Sequence, residues 1–316
     1  MRKFFCWLIL GILGFILIAA CNYKVPKTVS YLPHPSTAEC HIVKHTMGET
    51  CVPNKPQRIV TLSLSTLGNL LALGVKPIGT TNEYYREENF LKSSYKIDDI
   101  KLLGFDKPNL EAILLLKPDL IIGVDWFKSI YPQLSEIAPT VLGELEYSRW
   151  QRHLSFVAEA LGKQEAEKAL WERYDRRIEK LKSALKTRYN NKKISLMYVN
   201  GNQILIDVNN SFVGSIMKDA NLQRPTSQNI ESPYGAVGIS LEELKKADGD
   251  ILFVATFDNG GNQFLQKKQQ SPLWKQLKAV RENHVYHVNI TSWSATHIIA
   301  TDAVIDDLFK YLVNTP

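Results

Sequence analysis

The sequence predicts an α/β protein of two lobes, each built on a parallel sheet, joined by one long helix. Three observations predict it. Short apolar strands alternate with helices both before residue 150 and after residue 190, the pattern of a parallel sheet wrapped by its crossover helices. Between those regions, residues 154–184 contain no proline and a single glycine, Gly162. The chain has 316 residues, more than one hydrophobic core comfortably organises.

Residues 1–20 read as a sorting signal. Arg2 and Lys3 are followed by the uncharged run Phe4 to Ile18, then by Ala19, Ala20 and Cys21, the order of a secretory signal. Ile18-Ala19-Ala20-Cys21 resembles a bacterial lipobox, which makes Cys21 the lipidated first residue of the mature protein. A plain membrane anchor is the alternative, although the apolar stretch stops just short of the roughly 18 to 20 residues that a spanning helix needs. Either reading places the rest of the chain outside the cytoplasm and close to a membrane. Without Arg2 and Lys3 the formal charge falls from +6 to about +4. It is spread along the chain with no basic block, so nucleic acid is not an expected partner.

Residues 21–39 form a polar tether with three prolines, Pro26, Pro33 and Pro35. The N-terminal lobe is expected over 40–153. It opens with Cys40 and Cys51, which bracket a segment carrying Gly48. This reads as a hairpin, and an oxidising compartment lets the two cysteines pair. A metal site formed with His41 and His45 is the alternative. Arg58–Leu62 is a buried strand, Leu64–Leu73 a helix stopped by Gly74, and Val75–Thr80 a second strand. Leu110–Leu116 is a helix, Asp119–Val124 a strand, and Pro139–Val141 a short strand after a helix ending at Ile137.

The linking helix is expected over 154–189. From Ala166 the apolar groups Leu170, Tyr174, Ile178, Leu181 and Leu185 recur every three or four residues, one face of a helix of about 25 residues and about 37 Å. The C-terminal lobe, 190–316, resumes the alternation. Strands are expected at Lys193–Val199, Ile204–Val208, Asp250–Thr256 and His284–Val288, and helices at Phe212–Ala220 and Ile298–Leu312. A weak repeat relates the lobes. Leu110-Glu111 leads to Asp119 and an apolar strand, and Leu241-Glu242 leads to Asp250 and another, 131 residues later. Each glutamate then stands at the start of an equivalent helix.

Enzyme signatures are missing. There is no G-x-S-x-G, phosphate-cradling P-loop, G-x-G-x-x-G or H-E-x-x-H, so no catalytic residue is assigned. The seven histidines are scattered, and His284 and His287 fall on opposite faces of a strand, so no resident metal or cofactor is expected. Aromatic residues instead follow the strand ends: Tyr84, Tyr85 and then Arg86; Trp126 and Phe127; Tyr234; Trp293. Ligands of open α/β sheets sit beyond the carboxyl ends of the strands, and aromatics there make flat walls for a bulky ligand.

Five segments carry a family resemblance: P-x-x-P-x-R-I-V at 53–60, LLALGVKPIGTT at 70–81, PNLEAILLLKPDLIIG at 108–123, LSEIAPTV at 134–141 and SPLWKQLKAVRENHVYHV at 271–288. Together they resemble the periplasmic binding proteins of iron–siderophore ABC importers, a group that includes ferrichrome, ferric dicitrate and cobalamin binders. The resemblance implies two Rossmann-like lobes bridged by one helix, a ferric siderophore held between them, and closure by a few degrees. It implies a monomer that delivers its ligand to an ABC permease and its ATPase. It maps permease docking onto Glu111 and Glu242, with Glu243 as competitor for the second. It maps ligand contacts onto Tyr84, Arg86, Trp126, Phe127, Tyr234 and Trp293, with Lys107, Ser63 and Ser65 as further polar candidates. Two departures bear on ligand class. Leu64 stands where the hydroxamate-binding branch has a tryptophan, and Phe105, Asp106 and Lys107 replace an arginine before the PNLE motif. Cobalamin or haem is the alternative ligand.

Overall fold

The computed structural model describes residues 40–81, 91, 95, 97–105, 107–144 and 149–314. Cys21, the expected lipid site, and the candidates Tyr84 and Arg86 lie outside the described residues. The first element is an antiparallel hairpin, β1 (Cys40–His45) and β2 (Gly48–Pro53). Cys40 and Cys51 are disulfide-bonded with their Cα atoms 5.6 Å apart. His41 turns instead to Asn54 and His45 to Thr50.

The N-terminal sheet comprises β3 (Ile59–Thr61), β4 (Gly79–Thr80), β5 (Lys101–Leu102), β6 (Leu120–Val124) and β7 (Thr140–Gly143). Its order is β5-β4-β3-β6-β7 and every pairing is parallel. Three helices belong to it: α1 (Leu64–Ala72), α2 (Leu110–Leu116) and α3 (Tyr131–Ile137). Their ends follow from local chemistry. Ser63 caps α1 by accepting from the Thr66 N–H at 3.1 Å, and Asn109 caps α2 by accepting from Ala112 at 3.0 Å. Lys117, left-handed at φ 47°, ends α2 just before Pro118. The strand expected over Val75–Thr80 shrinks to Gly79–Thr80, because Gly74 and Pro77 keep its first half irregular.

The chain leaves this lobe through two helices rather than one, α4 (Trp150–Ala160) and α5 (Gln164–Leu185). Gly162, at φ +62°, separates them within the segment 154–189 assigned to the linking helix. The 22 residues of α5 span about 33 Å, and its buried face is the predicted series Tyr174, Ile178, Leu181 and Leu185.

The C-terminal sheet comprises β8 (Ile194–Asn200), β9 (Gln203–Asp207), β10 (Ala236–Ile239), β11 (Ile251–Thr256) and β12 (Val285–His287), in the order β10-β9-β8-β11-β12. Around it lie α6 (Phe212–Asp219), α7 (Asn259–Lys268), α8 (Pro272–Lys275), α9 (Lys278–Arg281), α10 (Ile290–Trp293) and α11 (Ile298–Leu308), the last passing into a π-turn over Phe309–Val313. Counted within its own lobe, each sheet has the order 3-2-1-4-5. The second strand differs. β9 runs antiparallel to both neighbours, since a tight turn at Gly201 folds it straight back from β8, whereas α1 provides the crossover between β3 and β4. The expectation of a wholly parallel second sheet is corrected accordingly.

The weak repeat has a structural counterpart. β6 begins at Leu120 and β11 at Ile251, and each is the fourth strand of its sheet. The second copy of the preceding helix is only a 3-10 turn, Leu244–Ala247.

One continuous apolar core runs from Val43 and Val52 through Leu70, Leu154 and Ile178 to Ile216, Phe253 and Ile305. A second seam joins the lobes where α11 returns to α1. There the Asn69 Oδ1 accepts from the Ile298 N–H at 3.2 Å, Ser65 pairs with Thr296, and the His297 ring fills the space that a Cβ on Gly68 would occupy. Arg173 and Arg177 of α5 pair with Asp302, and Arg177 also with Asp306, on α11. The lobes are thus pinned along one side by two connections.

Candidate functional site

The hairpin from β8 to β9 leaves part of a sheet face bare. Alternate residues of β8, β9 and β10 point onto that face: Tyr198, Asn200, Leu205, Asp207, Ala236 and Gly238. The two positions on β10 carry small side chains, so space remains above them. Phe212 at the start of α6, Phe257 just beyond β11, Tyr234 and Trp293 close a cavity of about 650 Å³, within the range of small-molecule sites.

Its floor is polar. Asp207 is buried and its Oδ1 lies 2.6 Å from the Arg224 Nη2, itself buried. The Ser211 hydroxyl donates to Asp207 at 2.7 Å. The Tyr198 hydroxyl lies 3.0 Å from Asp207 Oδ2 and 3.0 Å from the Trp293 carbonyl oxygen. Burial pushes the Asp207 carboxyl above its ordinary value, against the opposing pull of Arg224, Ser211 and Tyr198. These contacts hold Tyr198 upright as an aromatic wall. Asp258, at the rim, caps α7 by accepting from the Gly261 N–H. No lysine or arginine is among the described residues that line the cavity.

The candidate ligand residues fall into different positions. Tyr234 is 76% exposed on the rim. Trp293 backs the wall with its indole wholly buried, Nε1 donating to Asp307 at 2.8 Å and the ring 4.7 Å from that of Phe253. It shapes the cavity without offering a free face. Trp126 and Phe127 stand at the carboxyl end of β6 in the other lobe, outside this cavity. Trp126 is 47% exposed, whereas Phe127 packs into the core with Val60, Leu62 and Ile113. Lys107 is exposed. Ser63 and Ser65 are buried and already bonded, to Thr66 and Thr296.

Tyr198, Asp207, Phe212 and Phe257 were not anticipated. Phe257 was within reach, for it lies 131 residues after Trp126 and so occupies the equivalent place in the repeat. Tyr198 and Asp207 meet because β8 and β9 pair, a hairpin that Asn200-Gly201 between two apolar segments signals and that the expected alternation of strand and helix passed over.

Glu111 is exposed in the first turn of α2. Glu242 is exposed in the turn before Leu244–Ala247, where its own backbone N–H and the Ser240 hydroxyl hold its carboxyl below the ordinary value. Glu243 is engaged within the protein, paired with Lys246 at 2.5 Å and accepting from the Ser240 N–H at 3.1 Å. Among the described residues, no three His, Cys, Asp or Glu gather as a metal site, and no helix is long and apolar enough to cross a membrane.

Comparison with known proteins identifies the architecture. The profile of the family described as periplasmic binding protein matches residues 59–289. A probable siderophore-binding lipoprotein of Bacillus subtilis, YfiY, is 31% identical over the whole of both chains. The Fe(3+)-citrate-binding protein YfmC of the same organism is 30% identical, covering 96% of this chain and 95% of its own. Among solved structures, Staphylococcus aureus SirA complexed with staphyloferrin B superposes with a TM-score of 0.77 at 27% identity, over 86% of this chain and 98% of its own. This chain belongs to the periplasmic binding protein family.

Proposed function

From that membership we propose that the protein is the extracytoplasmic binding component of an ABC importer for ferric siderophores, anchored by a lipid on Cys21. The observation that carries the reading is the cavity of about 650 Å³ walled by Tyr198, Phe212, Tyr234 and Phe257. A ferric siderophore brings its iron already chelated, so the protein contributes apolar area and a few polar contacts rather than metal ligands. The ion is cargo, and the protein performs no chemistry on it.

With no cationic side chain among its described lining residues, the C-terminal cavity suits the uncharged flank of a chelate. Arg86 and Lys107 of the N-terminal lobe are the proposed partners for chelating oxygens, with Tyr84 and Trp126 as facing aromatics. Glu111 and Glu242 are the proposed contacts to the permease, and Glu243 is set aside by its pairing with Lys246.

The test is a binding titration by tryptophan fluorescence against hydroxamate, catecholate and citrate-type ferric chelates, with cobalamin and haem alongside. The key variant is Gly238→Phe. A Cβ at this position meets only the Leu205 Cδ2, at 3.9 Å, so the ring enters the cavity without disturbing the sheet. One ferric chelate class is expected to bind, and Gly238→Phe to weaken it on the order of 100-fold with the melting temperature unchanged. Binding of haem or cobalamin with no response to any ferric chelate would overturn the proposal.

A further inference from the structure

We infer that the C-terminal cavity selects ferric chelates that carry a protonated amine, received at the rim by the Asp258 carboxylate and the faces of Phe257 and Tyr234. The inference rests on the reading of this cavity as the siderophore site and names the class of ligand it takes. It comes from the way charge is divided between floor and rim.

Two helix starts open on the cavity, and both are occupied by the chain's own groups. The start of a helix carries about half a positive charge and ordinarily draws an anion. At α6 the Ser211 hydroxyl accepts from the Gly214 N–H at 2.7 Å and donates to Asp207. Asp207 is offset in turn by Arg224, 2.6 Å away, so the floor is close to neutral. At α7 the cap is itself a carboxylate. Asp258 Oδ1 accepts from the Gly261 N–H at 2.5 Å. Its full negative charge outweighs the half charge of the helix start, and about half a negative charge is left at the rim. Asp258 is exposed, and no lysine or arginine among the described lining residues offsets it. A device that elsewhere favours an anion here favours a cation.

The aromatic walls point the same way. Phe257 immediately precedes Asp258 in the chain, and its ring stands 6.1 Å from that of Tyr198. Tyr234, 76% exposed, stands on the same rim. The face of an aromatic ring carries negative potential, and an ammonium placed over it is attracted. A ligand carboxylate or catecholate oxygen at this rim meets a like charge and no cation. A primary amine, protonated at neutral pH, meets a carboxylate and aromatic faces. The uncharged flank of the chelate lies along the walls, and the amine appended to it reaches outward to Asp258. The chelating oxygens are left to Arg86 and Lys107, the partners proposed above.

The experiment uses the full-length protein in detergent and reads tryptophan fluorescence. For each of the hydroxamate, catecholate and citrate-type classes, the probes are a ferric chelate with a pendant primary amine, its N-acetylated twin, and the plain chelate. The twins share one iron centre and differ by one charge. In the class that binds, the amine form is expected to bind about tenfold tighter than its twin, and the gap to close in about 1 M salt. Asp258→Asn is expected to remove that advantage and leave the twin's affinity as it was. Asparagine caps a helix as well as aspartate does, so the melting temperature should hold. Equal affinity of the twins, tighter binding of the acetylated form, or binding of the plain chelate alone overturns the inference. So does an Asp258→Asn variant that keeps the preference or weakens both twins equally. Failure of all three classes to bind removes the underlying reading of the cavity instead.

Discussion

Replacing Asp207 with Asn strands the Arg224 guanidinium in the interior. The two side chains are 1% and 4% exposed and 2.6 Å apart. Among the described residues, Arg224 has one further acceptor, Gln228 Oε1 at 3.2 Å, and its Nε and Nη1 have no partner. An arginine does not release its proton at any accessible pH, so Asp207→Asn leaves a full charge uncompensated, at a cost of about 3–5 kcal/mol. The reverse change, Arg224→Met, leaves a carboxyl that can take up a proton and that burial already pushes upward. Its cost should be smaller, and it should depend on pH. A carboxyl whose folded pKa lies above its unfolded value binds more protons folded than unfolded, so the variant gains stability as pH falls. Asp207→Asn removes the titrating carboxyl, so its deficit against a parent in which that carboxyl is raised does not shrink as pH falls. Urea unfolding of both variants and of the parent, at about pH 5 and about pH 8, measures this directly. The Arg224→Met deficit relative to the parent should shrink toward the acid end, while that of Asp207→Asn does not. An Asp207→Asn loss below about 1 kcal/mol, or equal and pH-independent losses in the two variants, would refute the reasoning. Because Asp207 also holds Tyr198 at 3.0 Å, Asp207→Asn should weaken ligand binding as well.

Three further outcomes are expected. His153 is buried, its Nε2 2.9 Å from the Thr66 hydroxyl, and burial lowers its imidazole from 6.5 to about 4. Stability should therefore be full above about pH 6.5 and fall by about 3 kcal/mol as pH drops toward 4, a slope missing in His153→Gln and readable from urea midpoints. Gly68→Ala places a methyl group 2.4 to 2.7 Å from three atoms of the His297 ring. It should cost about 1–3 kcal/mol and lower the melting temperature by loosening the seam between α1 and α11. Loss of the Cys40–Cys51 disulfide, whose cysteines are 11 residues apart, should destabilise by roughly 3 kcal/mol in the chain-entropy model, and a thiol titration of the unfolded, unreduced protein should find neither cysteine free.

Much of the architecture was legible in local pattern. The helix over Leu110–Leu116 was readable to the residue, because Asn109 and Pro118 bracket an apolar run. The buried face of α5 followed from three- and four-residue spacing, and the 131-residue offset pointed to the matched fourth strands β6 and β11. Errors arose where one residue or one pairing changed the outcome. Gly162 entered the left-handed region and split the linking segment into α4 and α5. β9 turned back as a hairpin where βαβ alternation had been expected.

What the sequence by itself determined is the α/β class, the two lobes, the docking glutamates as candidates, and the cysteine pair. Each of these is written in residues close along the chain or in a fixed offset. What only the tertiary structure decided is the cavity. Its floor joins Tyr198 and Asp207 through strand pairing, and Arg224, which does not line it, anchors Asp207 through a buried ion pair. Its volume exists because Ala236 and Gly238 leave unfilled what larger side chains would have occupied. It also decided that Trp293 supports the wall while Tyr234 stands at the rim. Periodicity reports which way a side chain points from its own backbone; empty space is set by what distant segments fail to fill, and no local pattern encodes that.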